Sequence, residues 1–371
     1  MTNERFDVVD SLMHRAIEKG VFPGGVLLAA RNGAIEFCEA YGWRNLFTRQ
    51  AVTTDTIFDL ASLTKPLATT PALMLLVQQS KLALDDPIGM HCRWLEGSNK
   101  EEISVRALLN HTAGLPAYRP FYRDLQELAP DDRQQAVQQA LAGVALEAIA
   151  GQTVYSDLGF MLLGLLVEEI TTLRLDRYVH QEVFKPLGVG GEIQPRLFFN
   201  STPTPAPSIT ENVAATEICP WRNRLLEGVV HDENAFAMGG VAGHAGLFGD
   251  ALGVFRLAQA LCDAHAGRCP HGLFAAATVQ AFFRRDAGGS RPLGFDAPSD
   301  AEASCGRHFS GNTVGHLGFT GTSLWIDLDN AVAVVLLTNR VHPTRTNERI
   351  RTFRPQLHDA VMEAIFLVKT D

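Results

Sequence analysis

What this chain has little of narrows its function before any motif is read. Its 371 residues hold 32 basic against 41 acidic side chains, a formal net charge of −9. Nucleic acids and anionic membrane surfaces need concentrated positive charge, so neither is an expected partner. Long apolar runs are missing as well. The stretches from Leu67 to Val77 and from Phe160 to Ile170 are too short to span a bilayer, and no integral membrane segment is expected. The opening Met1-Thr2-Asn3-Glu4-Arg5-Phe6-Asp7 has no apolar signal core behind it, which gives a cytoplasmic location as the expectation. Cysteine is sparse and scattered (Cys38, Cys92, Cys219, Cys262, Cys269, Cys305), reading as reduced thiols and not as a disulfide framework. Cys262, His265, Cys269 and His271 lie close together, either as soft-metal ligands or as an incidental grouping at a helix end marked by Gly267 and Pro270. Their spacing matches no standard zinc pattern. Also absent are a G-x-S-x-G elbow, an H-E-x-x-H motif, a P-loop, and a G-x-G-x-x-G opening a helix after a strand.

What is present describes a globular enzyme-sized chain, 46% hydrophobic and 20% charged. Phe6, Val9, Leu12, Met13 and Ile17 recur at helical spacing over residues 4–20. Two apolar runs, Gly25–Ala30 and Ala34–Cys38, flank Asn32-Gly33, a strong hairpin signal. Residues 62–80 read as a helix that Pro71 should kink. Residues 100–190 are mainly helical, with helices expected over 133–149 and 158–173, the second apolar nearly all round and so buried. Pro203, Pro205 and Pro207 make 200–210 a loop; 250–285 look helical, ending in a Gly-rich connection at 287–294. Three strands follow, 313–319, 322–327 and 331–338, the last apolar enough to be central, and a helix over 356–369 closes the chain. Strands at both ends with helices between predict a discontinuous architecture. Residues 1–75 and 305–371 would share a sheet flanked by helices, residues 76–304 would form a mainly helical domain, and the active site would lie between them.

Three short segments carry candidate chemistry. Ser62-Leu63-Thr64-Lys65 places a base three residues after a weak nucleophile, on one face of a helix. The positive end of that helix would favour the alkoxide and lower the pKa of Lys65, and the Ser62 N–H would be free for an oxyanion. Read blandly, the pair is an exposed serine and lysine on an amphipathic helix. Tyr155-Ser156-Asp157 precedes the buried helix; a phenol near a cation serves as a proton relay, or else as a packing residue. His316-Leu317-Gly318, followed by Phe319-Thr320-Gly321-Thr322, has the glycines that let a ligand approach a strand, or is simply a twisted edge.

Together these segments resemble the serine β-lactamase and penicillin-binding-protein superfamily, in its class C β-lactamase, D,D-peptidase and carboxylesterase branch. That family carries S-x-x-K, then Y-x-N, then K-T-G or H-x-G on an edge strand. Leu108-Leu109-Asn110-His111-Thr112-Ala113-Gly114-Leu115-Pro116 and Phe184-Lys185-Pro186-Leu187-Gly188 are similar to two further family segments. The resemblance implies a β-lactamase-like α/β (α+β) fold with an antiparallel sheet. It implies Ser62 as the acylated nucleophile, Lys65 and Tyr155 as shared general base, and the N–H groups of Ser62 and Phe319 as the oxyanion hole. His316 would steer an anionic or polar substrate group, and Gly318 would leave room for the acyl chain. No metal or organic cofactor is implied.

Two departures stand out. Asp157 replaces the family's asparagine, putting a carboxylate where an amide would contact substrate, and His316-Leu317 replace lysine and threonine. Both weaken the expectation of an efficient β-lactamase and favour an esterase or an amidase. Val230-His231-Asp232-Glu233-Asn234-Ala235 and the Gly-rich run Gly239–Phe248 resemble members linked to cell-wall fragment processing. There His231 and His244 are candidates for a substrate loop, or for structural hydrogen bonds between two domains. Glu217, Arg222 and Arg224 are further candidates for polar substrate contact. The leading expectation is a serine hydrolase acting on a peptidoglycan-derived peptide or muropeptide amide, or a β-lactam-like substrate. A promiscuous carboxylesterase and a non-catalytic ligand-binding protein are the alternatives. The partner is a small molecule: a cell-wall fragment, an ester or a β-lactam.

Overall fold

The computed structural model describes residues 4–149, 151–191, 196–201, 211–285, 291–298 and 303–366. Alternating side chains explain its central layer. Along β1 (Gly24–Arg31), Val26, Leu28 and Ala30 face one apolar core while Leu27 and Ala29 face another. The Asn32-Gly33 turn joins β1 to β2 (Ala34–Asn45), both turn residues having positive φ (52° and 79°) as a tight hairpin requires. After the short β3 (Gln50–Ala51), the sheet is completed from the other end of the chain by β7 (Thr313–Leu317), β8 (Ser323–Asp327) and β9 (Val332–Thr338). The strand order is β3-β2-β1-β9-β8-β7, and the β2-β1-β9-β8-β7 pairings are all antiparallel. β9 is central and buried on both faces, as its unbroken apolar run predicts. β7 is an edge.

Helices α1 (Asp7–Glu18) and α5 (Ile350–Phe366) pack together and bury Val9, Met13, Phe353 and Leu357 against the outer face of the sheet. α4 (Ala251–His265) packs on β9 and β1 from the inner face, with Asp250 accepting the Gly253 N–H at its start. Beyond it stand α2 (Thr70–Gln78) and α3 (Asp157–Thr171), the latter buried continuously from Leu158 to Val167. Three very short strands, β4 (Phe58–Asp59), β5 (Leu197–Phe199) and β6 (Leu247–Gly249), form a second sheet in the order β4-β6-β5.

Several boundaries differ from expectation. Pro71 does not kink a straight helix. A 3-10 turn (Ala61–Leu63) leads into a π turn (Lys65–Thr69), in which Thr70 N–H donates to Lys65 O, and α2 begins only then. α5 starts at Ile350, six residues before the expected 356, and holds Pro355 inside it. The helix expected over 133–149 stops at Gly143. The expected loop at 200–210 falls mostly outside the described residues, as do the end of the last helix past 366 and part of the 287–294 connection.

Candidate active site

The segment before Ser62 is held in a costly shape. Ala61 has φ of 48°, a conformation that costs a non-glycine residue about 1–3 kcal/mol and persists only when its surroundings enforce it. The enforcement is visible. Asp59 Oδ1 accepts the Ala61 N–H at 2.8 Å, Thr320 Oγ1 donates to Asp59 O at 2.7 Å, and Thr322 Oγ1 donates to Leu60 O at 3.1 Å. Thr64 Oγ1 donates to Ala61 O at 2.6 Å and accepts the Leu247 N–H at 3.1 Å. Pairing of β4 with β6 makes this possible, because it lays the Ser62 turn beside the chain that leaves the Gly-rich loop.

Lys65 is the hub. It is fully buried, and its Nζ, with three N–H groups to share, lies within hydrogen-bond reach of four acceptors: Ser62 Oγ at 3.1 Å, Tyr155 OH at 2.6 Å, Asp157 Oδ1 at 2.7 Å and His244 O at 3.3 Å. Burial pulls Lys65 toward its neutral amine. The Asp157 carboxylate and the Tyr155 oxygen outweigh burial and hold it above the ordinary lysine value. That reverses the lowered value expected from the helix dipole alone. Burial, opposed by Lys65 and reinforced by Asp157, also raises the Tyr155 phenol. At neutral pH the site therefore holds an ammonium and a neutral phenol. Asp157, expected as a substrate contact, has Lys65 as its partner, with 22% of its side chain exposed.

The edge strand closes the other side. Ser62, Tyr155, His316, Gly318 and Phe319 line one cleft of about 330 Å³. The 3-10 turn bonds run from Leu63 N to Leu60 O and from Thr64 N to Ala61 O, so the Ser62 N–H stands at the open start of the turn. The Phe319 N–H lies just past the end of β7, and the phenyl ring is 48% exposed, stacked on His231 at 5.6 Å. His316 is buried, and its Nδ1–H donates to Leu317 O at 2.7 Å. Burial, then the Lys65 charge, push His316 down to about 3, so it is a neutral ring. It cannot steer an anion by charge. Gly318 serves a tighter purpose than room for an acyl chain: a Cβ there would meet Thr322 Oγ1 at 1.9 Å and Leu60 O at 2.6 Å.

The Gly-rich loop braces the site from behind. His231 and His244 are both buried and do not line the cleft. His231 pairs with Glu217 at 3.1 Å and His244 with Asp232 at 3.0 Å. The structural-bond alternative is thus the arrangement present. Glu217 is tied to Arg345 and Arg222 to the carbonyls of Val230 and His231. Cys262 is buried in α4, whereas Cys269 is exposed with its thiol toward Phe274 O, and no metal-holding group of three or more His, Cys, Asp or Glu occurs among the described residues. Three residues that the sequence did not mark as candidates for chemistry belong to the site. Asp59 Oδ2 accepts the His231 N–H at 2.6 Å, coupling the loop to the Ser62 turn. His111, singled out only as part of a family-like segment, packs on Tyr155 at 4.7 Å, and its Nδ1 accepts the Ser156 N–H at 3.1 Å. Burial and then the Lys65 charge hold His111 well below the ordinary histidine value. Arg291 sits 5.7 Å over the Tyr155 ring. Nothing local in the sequence marks Asp59 or Arg291, since each matters through a distant partner.

This fold and this arrangement define a class, the β-lactamase-fold serine hydrolases. Residues 9–358 match the Beta-lactamase family, and the chain belongs to it. It is 34% identical over 359 residues to an N-acetylmuramyl-L-alanine amidase of Bacillus subtilis (strain 168), covering 90% of this chain and 80% of that protein. To a putative D-alanyl-D-alanine carboxypeptidase of Salmonella schwarzengrund (strain CVM19633) it is 30% identical over 390 residues, covering 94% and 85%. Among solved structures, EstCE1, a hydrolase with promiscuous acyltransferase activity, superposes with a TM-score of 0.74 at 24% identity, covering 97% and 98% of the two chains. The octameric penicillin-binding protein homologue from Pyrococcus abyssi gives 0.71 at 19% identity, covering 97% and 76%. No helix among the described residues is long and apolar enough to cross a membrane.

Proposed function

We propose that Ser62 is acylated by substrate and that the acyl-enzyme is then hydrolysed. The observation that carries this reading is Lys65 Nζ within hydrogen-bond reach of both Ser62 Oγ (3.1 Å) and Tyr155 OH (2.6 Å). Ser62 Oγ attacks the carbonyl carbon and gives its proton to the Lys65–Tyr155 pair. The N–H groups of Ser62 and Phe319 receive the oxyanion. The pair returns the proton to the leaving group as the carbon–heteroatom bond breaks, and the same relay activates water for deacylation. Because Lys65 rests as an ammonium, the relay is competent only after it loses that proton, so turnover rises with pH.

The substrate in this reading is an amide of a peptidoglycan-derived peptide or muropeptide, supported by the names of the amidase and carboxypeptidase relatives. Six free thiols, four of them buried, fit a reducing compartment and hence a cytoplasmic role on recycled fragments. A second reading, a carboxylesterase with weak β-lactam turnover, is favoured by Leu317, which puts an apolar side chain where the family pattern has a threonine hydroxyl. The test is mass spectrometry of the intact protein after exposure to a muropeptide, p-nitrophenyl acetate and a fluorescent penicillin. An adduct on Ser62 that is lost in Ser62→Ala is expected. A folded protein that forms no adduct with any donor would instead be a ligand-binding member of the fold.

A further inference from the structure

A trans peptide is one rigid plane with its C=O and N–H pointing opposite ways, so whatever holds the oxygen aims the N–H. The Phe319 N–H, half of the oxyanion hole in the reading above, shares its plane with the carbonyl of Gly318. That N–H has no acceptor among the described residues. Gly318 O, at the other end of the plane, accepts the Gly321 N–H at 3.1 Å and Arg354 Nη2 at 3.3 Å. The same Nη2 donates to Thr322 O at 2.8 Å, which also accepts the Gly318 N–H at 2.8 Å. One peptide further on, Phe319 O accepts Arg340 Nε at 2.9 Å, and Arg340 NH1 donates in turn to the carbonyls of Arg345 and Asn347. Two guanidiniums thus grip the turn between β7 and β8 by its carbonyls.

Packing alone does not call for a cation here. α5 buries Ile350, Phe353, Leu357 and Val361 against the sheet, and Arg354 stands on that stripe, four residues after Ile350 and three before Leu357. It is 6% exposed, its Nε is unpartnered, and no carboxylate lies within ion-pair distance of it among the described residues. Burial, then the Arg340 charge, lower the Arg354 guanidinium to about 9, still charged at neutral pH. A neutral glutamine could donate to a carbonyl there, whereas a buried cation that faces nothing negative is costly. The matching negative charge arrives with the reaction. The substrate oxygen becomes an oxyanion only as Ser62 attacks, at the position the Phe319 N–H serves. A cation on Gly318 O polarises the peptide and makes that N–H a stronger donor.

We propose that Arg354, assisted by Arg340, is a positioning residue for the oxyanion hole: it fixes the Gly318–Phe319 peptide through Gly318 O and strengthens the Phe319 N–H toward the oxyanion. This rests on the Ser62 acylation reading and deepens it. Arg354 does not touch substrate in this arrangement, so its charge is felt in the rate of acylation and not in substrate binding.

The test is single-turnover acylation by p-nitrophenyl acetate, which is neutral, so no charged substrate group can account for a loss. Arg354→Gln should lower the maximal acylation rate about tenfold or more, a share of the roughly 100- to 1,000-fold that losing a whole oxyanion donor costs. The saturation constant should stay within twofold, and Arg354→Lys, which keeps the charge, should recover part of the rate. Infrared difference spectra of the acetyl-enzyme, made with carbonyl-13C-labelled and unlabelled ester, read the hole directly. The acyl C=O stretch should move to higher frequency in Arg354→Gln, because a weaker donor polarises the bond less. A rate within twofold, an unmoved stretch, or a raised saturation constant at an unchanged rate overturns the inference. Should Arg354→Gln fail to fold, Arg340→Gln probes the same clamp through Phe319 O, with the same upward shift expected and an unmoved stretch again overturning it. If the wild type forms no acetyl-enzyme on Ser62, the acylation reading itself has failed. If it does and the variants match it, only this inference falls.

Discussion

Gly243 offers a way to damage the site without touching any functional group. A Cβ built on it would lie 2.0 Å from Phe160 O and 2.8 Å from Gly164 N, where ordinary contact begins at 3.4 Å. The loop would have to lift from α3 by about 1.4 Å, since a helix carbonyl cannot rotate away without losing its own bond. That loop presents Gly243 O to Thr69 Oγ1 at 2.6 Å and His244 O to Lys65 Nζ at 3.3 Å, so the lift draws Lys65's carbonyl partner away from it. Misplacement of about 1 Å in a catalytic constellation costs on the order of 100-fold. Gly243→Ala should therefore lower kcat/KM for p-nitrophenyl acetate by roughly that factor while costing only about 1–3 kcal/mol of stability. Gly164→Ala approaches the same contact from the helix, meeting Gly243 N at 2.8 Å and Gly243 Cα at 2.9 Å, and should do much less harm. Kinetics and thermal melts on the two variants decide the matter. If Gly243→Ala melts earlier yet keeps its rate within twofold, or if Gly164→Ala is the worse, the loop does not position Lys65.

Asp157→Asn removes the carboxylate that holds Lys65 above its ordinary value, leaving burial to lower it. The alkaline rise of kcat/KM should then move to lower pH, each unit of movement giving tenfold more free base at neutral pH; an unmoved pH–rate profile would refute this. Glu217 is held down to about 2, because the bonds from His231 and Arg345 outweigh the opposing effect of burial. Its contribution to stability is full above the unfolded value of 4.5 and is lost as pH falls through about 2. Glu217→Gln should thus cost about 2 kcal/mol near neutrality and flatten the acid limb of a melting-temperature series. Gly318→Ala, whose Cβ would meet Leu60 O at 2.6 Å, should lower acylation of Ser62 far more than it lowers the melting point.

What the sequence disclosed and what it hid follow from how local each cause is. β9 was legible because a strand buried on both faces must be apolar at every position, and the β1–β2 hairpin because Asn32-Gly33 suits two positive φ angles. β4 and β6, two and three residues long, have no period to read, yet their pairing brings the Gly-rich loop to Ser62. The serine, lysine and tyrosine were found by residue type and order. The electrostatic state of the lysine was not, because it is set by Asp157, 92 positions away, and helix-end reasoning from the adjacent turn pointed the wrong way. Asp157 read as a lost substrate amide when set against the family pattern. In the fold its carboxylate faces the lysine, so this departure bears on the proton inventory of the nucleophile before it bears on substrate choice.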